Sequence, residues 1–187
     1  VNPVLRYCVA LCALVLSACV AVAPPRAVNV APPFELAGRI VVRYQQQGFS
    51  SSLRWTQAGG RDEIWLTAPL GQTIAHLTAD ADGATLTAAD QRQYRASSIE
   101  TLTKSAFGWR FPVDSMRYWV FGEAIPGAPP AALERDAARR IARLKQEDWQ
   151  VVFNYATAEA TRPSRIDIAG NDAEIRFAID NLTRDAP

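Results

Sequence analysis

The sequence predicts a mainly β protein with some helix, in which one antiparallel sheet or barrel curls around two short helices. Three observations carry that prediction. From Phe34 onward apolar residues recur with a period of two. The middle of the chain, Ser97 to Gly122, changes to helical spacing. From Trp149 the period of two returns and lasts almost to the end. A period of two marks half-buried strands and a period near 3.6 marks amphipathic helices.

Phe34, Leu36, Gly38, Ile40, Val42 and Tyr44 share one face of a first strand, opposite Glu35, Arg39 and Arg43. Gln46, Gln47 and Gly48 supply a turn. A second strand alternates Phe49, Leu53 and Trp55 with Ser50, Ser52 and Arg54. After the turn Ala58-Gly59-Gly60, strands are expected at Glu63 to Thr67 and Gln72 to Ala79. Asp82-Gly83 then reverses the chain into a strand at Ala84 to Thr87.

Ser97-Ser98-Ile99-Glu100 has the look of a capping box. It opens a helix over about Ser98 to Ala106, with Ile99, Leu102 and Ala106 on its apolar stripe and Phe107-Gly108 at its end. Pro112 sits where a second helix can start. That helix, Pro112 to Phe121, places Val113, Met116 and Val120 on one stripe with Trp119 beside it, and Gly122 stops it. Pro126, Pro129 and Pro130 mark a loop. Residues 133–146 are ambiguous, because Leu133, Ala137, Ile141 and Leu144 have helical spacing. Beyond them Trp149, Val151, Phe153 and Tyr155, then Ile166 and Ile168, then Ile175, Phe177 and Ile179 alternate with polar residues around the turn Gly170-Asn171.

The first residues, VNPVLRYCVALCALVLSAC, carry one charge, Arg6, then an apolar run from Tyr7 to Leu16 and small residues before Cys19. This is the pattern of a secretory signal, and the run is shorter than the roughly 20 residues a spanning helix needs. Leu16-Ser17-Ala18-Cys19 resembles the lipobox of bacterial lipoproteins. The resemblance implies removal of residues 1–18 and acylation of Cys19, and Val20 at the next position implies sorting to the outer membrane. Residues 19–33, with Pro24, Pro25, Pro32 and Pro33, read as a lipidated cysteine and an extended tether. Residues 34–187 are then one domain, long enough for a sizeable core.

Of three cysteines, Cys8 and Cys12 lie in the removed segment, which leaves neither a disulfide nor a thiolate metal site. Arg6 leaves with that segment, and the formal net charge falls from +1 to zero. No basic excess points to nucleic acid.

Little speaks for catalysis. His76, the one histidine, lies in an alternating strand, and no G-x-S-x-G elbow, P-loop or dinucleotide fingerprint occurs. One histidine gives zinc too few ligands. Asp167 to Asp172 lacks the alternating acids and terminal Glu of a calcium loop. Paired carboxylates stay open. The expectation is a non-enzyme without cofactor or metal.

The most informative motif is Thr67-Ala68-Pro69-Leu70-Gly71-Gln72. Pro69 cannot donate to a ladder and Gly71 allows a tight reversal, which puts Leu70 at a loop tip. Leu70 could equally fold back on the core. An exposed apolar tip would call for a functional reason.

Taken together, several features resemble the family of the outer-membrane lipoprotein receptor LolB. They are Phe34-x-Leu-x-Gly-Arg-Ile40, Trp55 ending the second strand, Ala68-Pro69-Leu70-Gly71-Gln72, Gly108-x-x-x-Pro112, Trp119-x-x-Gly122, Trp149 opening a strand to Tyr155, and the hairpin Pro163 to Asn181. The resemblance covers almost all of the chain after Cys19. It implies an incomplete antiparallel β-barrel whose open side is covered by helices, with a cavity for acyl chains between them. It also implies receipt of lipoproteins from the soluble periplasmic carrier LolA, release into the outer membrane, and a delivery role for Pro69, Leu70 and Gly71. Two features depart from the family. Leu182 follows Asp180-Asn181 where a Trp is usual, and a strand is implied near Ile141 where the spacing suits a helix; the strand is preferred, since it pairs directly with Trp149 to Tyr155 through a turn at Gln146 to Asp148.

Burial of one CH₂ is worth about 0.8 kcal/mol, so a 16-carbon chain represents on the order of 12 kcal/mol of apolar contact. A receptor must hold such chains better than the carrier does and less well than the bilayer does. Candidate cavity residues are Ile40, Val42, Leu53, Trp55, Leu66, Val151 and Phe177 on the sheet, with Met116 and Trp119 on the helices. The same residues would equally form a closed core. A monomer held by its lipid on the periplasmic face of the outer membrane is expected. The rival readings are an envelope lipoprotein that carries another lipid, a non-catalytic scaffold, and a lipid hydrolase.

Overall fold

The computed structural model describes residues 32–184. The expected signal segment, Cys19 and the tether up to Ala31 lie outside the described residues. Within them one antiparallel sheet of eleven strands has the order β6-β5-β4-β3-β2-β1-β11-β10-β9-β8-β7. The strands are β1 Phe34–Tyr44, β2 Gln47–Ala58, β3 Arg61–Thr67, β4 Thr73–Asp80, β5 Gly83–Ala88 and β6 Gln93–Ala96. The second group is β7 Ala132–Arg135, β8 Ile141–Gln146, β9 Trp149–Asn154, β10 Arg165–Gly170 and β11 Ala173–Arg184. Two helices, α1 Ile99–Phe107 and α2 Val113–Trp119, join the two groups through the sheet's inner side. The sheet does not close, since β6 and β7 end it on either side. The incomplete barrel with helices is therefore the observed fold.

Register explains the core. Leu36, Trp55, Ile64, Leu77 and Leu86 face one another in one cross-strand row, and Val42, Ile175, Ile168, Val151 and Leu144 in another. These rows are buried and the alternating residues point outward. A one-residue slip would turn every row to solvent, so the pattern specifies the pairing. The core lies wholly within residues 34–177.

Several boundaries correct the sequence reading. The first turn is Gln45-Gln46, since Gln47 pairs with Tyr44 and Gly48 with Arg43. Gly83 belongs to β5, where it pairs with Asp80. Residues 133–146 take the preferred strand alternative: β7 and β8 pair around Asp136–Arg140, and β8 includes Gln146 and turns at Glu147-Asp148 into β9. Their helical spacing loses to sheet pairing, which buries Ile141 and Leu144 against the core. β6 carries no alternating apolar pattern and went unpredicted. At the end of the chain β11 continues through Leu182, which pairs with Leu36, after a register shift beside Asp180.

Both helices are built locally. The Ser98 side chain accepts from the Thr101 N–H at 3.1 Å and so caps α1. The cap is one residue later than a Ser97-to-Glu100 box requires, so the position for a reciprocal Glu holds Thr101. Gly108, with φ 83°, ends α1 by donating to the Lys104 carbonyl. Pro112 stands at the N-cap of α2, one position before the first helical residue.

Candidate functional site

The pairing places the hairpin turns β1–β2, β3–β4, β5–β6, β8–β9 and β10–β11 at one end of the sheet. Phe34 and Arg184, paired with each other, lie at the opposite end. At the first end, between α1 and strands β1 to β6, is a cavity of about 1070 Å³. That is at the upper edge of the roughly 300–1,000 Å³ of small-molecule pockets. Ile40, Val42, Ile64, Leu66, Ile74, Leu77, Leu86 and Ala88 form its sheet wall, and Leu102, Ala106, Trp109 and Phe111 face them from the helical side. Phe49, Tyr94 and Phe107 line it and are also exposed, so they form an apolar rim at its mouth.

Of the residues expected in a cavity, Ile40, Val42 and Leu66 are on this wall. Leu53, Trp55, Met116, Trp119, Val151 and Phe177 are not on it and are buried in the closed core. The cause is the position of α2. Arg117 donates through Nε to Asp62 Oδ1 at 3.2 Å and forms a second bond to Oδ2. Asp62, buried on β3, also accepts from Trp55 Nε1 at 2.9 Å. Desolvation works against the Arg117 charge, but the Asp62 hydrogen bond and charge outweigh it and raise its pKa. On the other side Ser115 donates to Glu147 at 3.0 Å and Trp119 Nε1 to Gln146 at 3.3 Å. The buried Gln146 side chain also accepts from the Ile125 N–H and donates to the Ile125 and Ala128 carbonyls, tying down the proline-rich loop. With α2 pinned to β3 and to the β8–β9 hairpin, these side chains pack into the buried core.

α1 is held differently. It buries Ile99, Leu102 and Thr103, and Thr103 Oγ1 accepts from the Phe111 N–H at 3.0 Å. It contacts β4, β5 and β6 and no other strand as closely. Near its start is a smaller polar pocket of about 280 Å³ lined by Glu100, Arg110, Glu147, Asp148, Trp149 and Asn171. Burial, then the charges of Asp114 and Glu147, raise the Glu100 carboxyl above its ordinary value. Among the described residues no group of histidine, cysteine and carboxylates could hold a metal ion. His76 lies in the sheet, stacked on Trp65 with ring centroids 3.7 Å apart and bonded to Glu63 at 2.8 Å.

Leu70 stands free of the core, with 88% of its surface exposed. Its loop is a tight turn in which the Gly71 N–H donates to the Ala68 carbonyl and the Ala68 N–H to the Gln72 carbonyl, both at 2.8 Å. Pro69 supplies the φ of the second turn position, and Gly71, with φ 82°, takes the left-handed one. Ala88–Arg92 and Asp136–Arg140 have the same pair of hydrogen bonds, with left-handed Gln91 and Arg139. Their tips are Ala89-Asp90 and Ala137-Ala138. The turn geometry therefore does not require a large apolar residue at the tip.

Sequence reasoning missed much of the cavity wall, above all Ile74, Leu86, Tyr94 and Trp109. Leu102 was legible as a helix-stripe residue and Phe49 as a strand residue. Nothing local says that they face an empty space.

Residues 32–181 match the family model for Outer membrane lipoprotein LolB. The outer-membrane lipoprotein LolB of Nitrosomonas europaea is 36% identical over 152 residues, 79% of this chain and 71% of that one. That of Cupriavidus necator is 37% identical over 182 residues, 91% of this chain and 92% of that one. A DUF1329-family protein from Desulfovibrio piger shares the fold, with a TM-score of 0.53 and 7% identity over 84% of this chain and 88% of that one. With the fold, the cavity and these matches in agreement, the chain belongs to the LolB family of outer-membrane lipoproteins.

Proposed function

We propose that the cavity beneath α1 takes the acyl chains of cargo lipoproteins and that the Pro69-Leu70-Gly71 loop passes them to the bilayer. The family acts as the outer-membrane receptor of lipoprotein localisation, and this chain is such a receptor, lipid-anchored at the outer membrane. Cys19 is the residue that carries the lipid, and the periplasmic carrier LolA is the donor. The protein acts as a monomer and without catalysis. No ATP motif is present, so cargo moves down a gradient of affinity from carrier to receptor to membrane.

The observation that carries this reading is the pairing of an apolar cavity with an exposed Leu70 at the same end of the sheet. Burial of one Leu contributes about 1.5–3 kcal/mol, far less than an acyl chain does. Leu70 is thus suited to dipping into the bilayer surface and not to holding cargo. The test is a two-step assay of transfer to the receptor and then to liposomes. Leu70→Asp is expected to accept cargo normally and to release it poorly. Normal release by Leu70→Asp contradicts the assignment.

A further inference from the structure

The loop end and the anchor end of this molecule are opposite ends. Phe34, where the chain enters the sheet, is level with Gln57 and Asp62. Asp62 to Thr67 is five residue steps along β3, and the tip of the turn lies three further on. At about 3.3 Å per residue these eight steps carry Leu70 up to roughly 26 Å beyond the level of Phe34.

Both ends bear charge, the loop end in the Arg92–Asp90 ion pair and at Glu147 and Asp148. The Leu70 end carries the apolar rim of Phe49, Tyr94 and Phe107. The Phe34 end carries the ion pairs Arg61–Asp80 and Arg184–Glu123. The cavity mouth, its apolar rim and the exposed Leu70 thus lie at the end away from the entry of the chain.

From this we infer that the domain docks on the bilayer inverted with respect to its anchor. The loop and cavity mouth face the lipid, and the segment that joins Cys19 to Phe34 has to be long enough to span the height of the domain. This rests on the acylation of Cys19 and the role of Leu70 given above. The length of the connecting segment makes the arrangement possible. Fourteen residues lie between Cys19 and Phe34. Fully extended at about 3.3–3.6 Å each, they reach roughly 46–50 Å, enough to span the inversion. Four residues would reach only about 14 Å and would hold the mouth away from the lipid. The tether length thus sets whether an anchored receptor can serve the membrane it is anchored in.

The experiment removes residues 22–31 from the acylated chain. The protein is placed in dilute phosphatidylethanolamine–phosphatidylglycerol vesicles and supplied with a carrier-bound triacylated lipoprotein. Acceptance should be unchanged, and delivery into the host vesicles should fall at least fivefold. Ten Gly/Ser residues in place of residues 22–31 should restore delivery. In the chain begun at residue 20, unacylated and with its core intact, the same deletion should have no effect. Full delivery by the shortened acylated chain overturns the inverted docking. So does an equal loss in the unacylated chain, which would show that the deletion acts on the domain itself. Leu70→Asp in the unacylated chain separates the two ideas, because the tether plays no part there. Normal delivery by that variant removes the loop assignment, whereas impaired delivery by it, together with full delivery by the shortened acylated chain, removes only the inversion.

Discussion

The two helices lie inside the same curled sheet and do opposite things to it. α2 is tied to both sides of the concavity, through Arg117 to Asp62 on β3 and through Ser115 and Trp119 to Glu147 and Gln146. Around it Trp55, Met116, Trp119, Ile166 and Phe177 are sealed from solvent. α1 leans on β4, β5 and β6 through a short apolar stripe and leaves about 1070 Å³ unfilled beside it. Apolar alternation along the strands is the same on both sides, so what separates a closed core from a ligand cavity is how each helix is attached. Polar pins on both sides close one half of the barrel, and their absence leaves the other half open.

The largest effect is expected where that difference is broken. Arg117→Met leaves the Asp62 carboxylate buried without its cation, which should cost about 3–5 kcal/mol in chemical denaturation. Adding Asp62→Asn should recover part of the loss, because the uncompensated charge is gone. A smaller contrast comes from truncating one residue on each side. Met116→Ala opens a hole in packed surroundings and should cost about 2–5 kcal/mol. Leu66→Ala removes atoms that already face a void on one side, so its cost should be clearly smaller in the same assay. Thr103→Val leaves the Phe111 N–H without its acceptor in the link between the helices. It should cost about 1–3 kcal/mol and loosen α1, seen as faster amide exchange over residues 99–107. At the bottom of the scale Leu70→Asp should change stability by no more than about 0.5 kcal/mol, since the side chain touches no core residue. A larger loss would show that the loop packs in solution.

The sequence made the sheet legible because burial on one face writes itself as a period of two, from Phe34 to Tyr44 and again from Ile166 to Ile179. It made the loop legible because Pro69 and Gly71 have few other uses between two strands. At residues 133–146 helical spacing competed with strand pairing, and the hairpins that join β8 to β7 and to β9 decide for two strands. β6 was silent, since Gln93, Tyr94 and Arg95 sit at an edge and are exposed. The cavity was legible only in part. Ile40 and Val42 share one alternating stretch with Phe34 and Leu36, and all four are apolar. Which of them line a cavity depends on how far along the strands α2 is seated. That is decided by Asp62 meeting Arg117, 55 residues later, and no local pattern announces it.

The proposed function turns on where the acyl chains lie. A cargo lipoprotein with a photoreactive group near the end of one acyl chain can be loaded from the carrier, irradiated and mapped by peptide mass spectrometry. Adducts are expected on the cavity wall, at residues such as Leu66, Leu86, Leu102 and Phe111, and none at Val151, Ile166 or Phe177. Adducts concentrated on the β8–β11 side, or spread over the outer face of the sheet, would contradict the proposal.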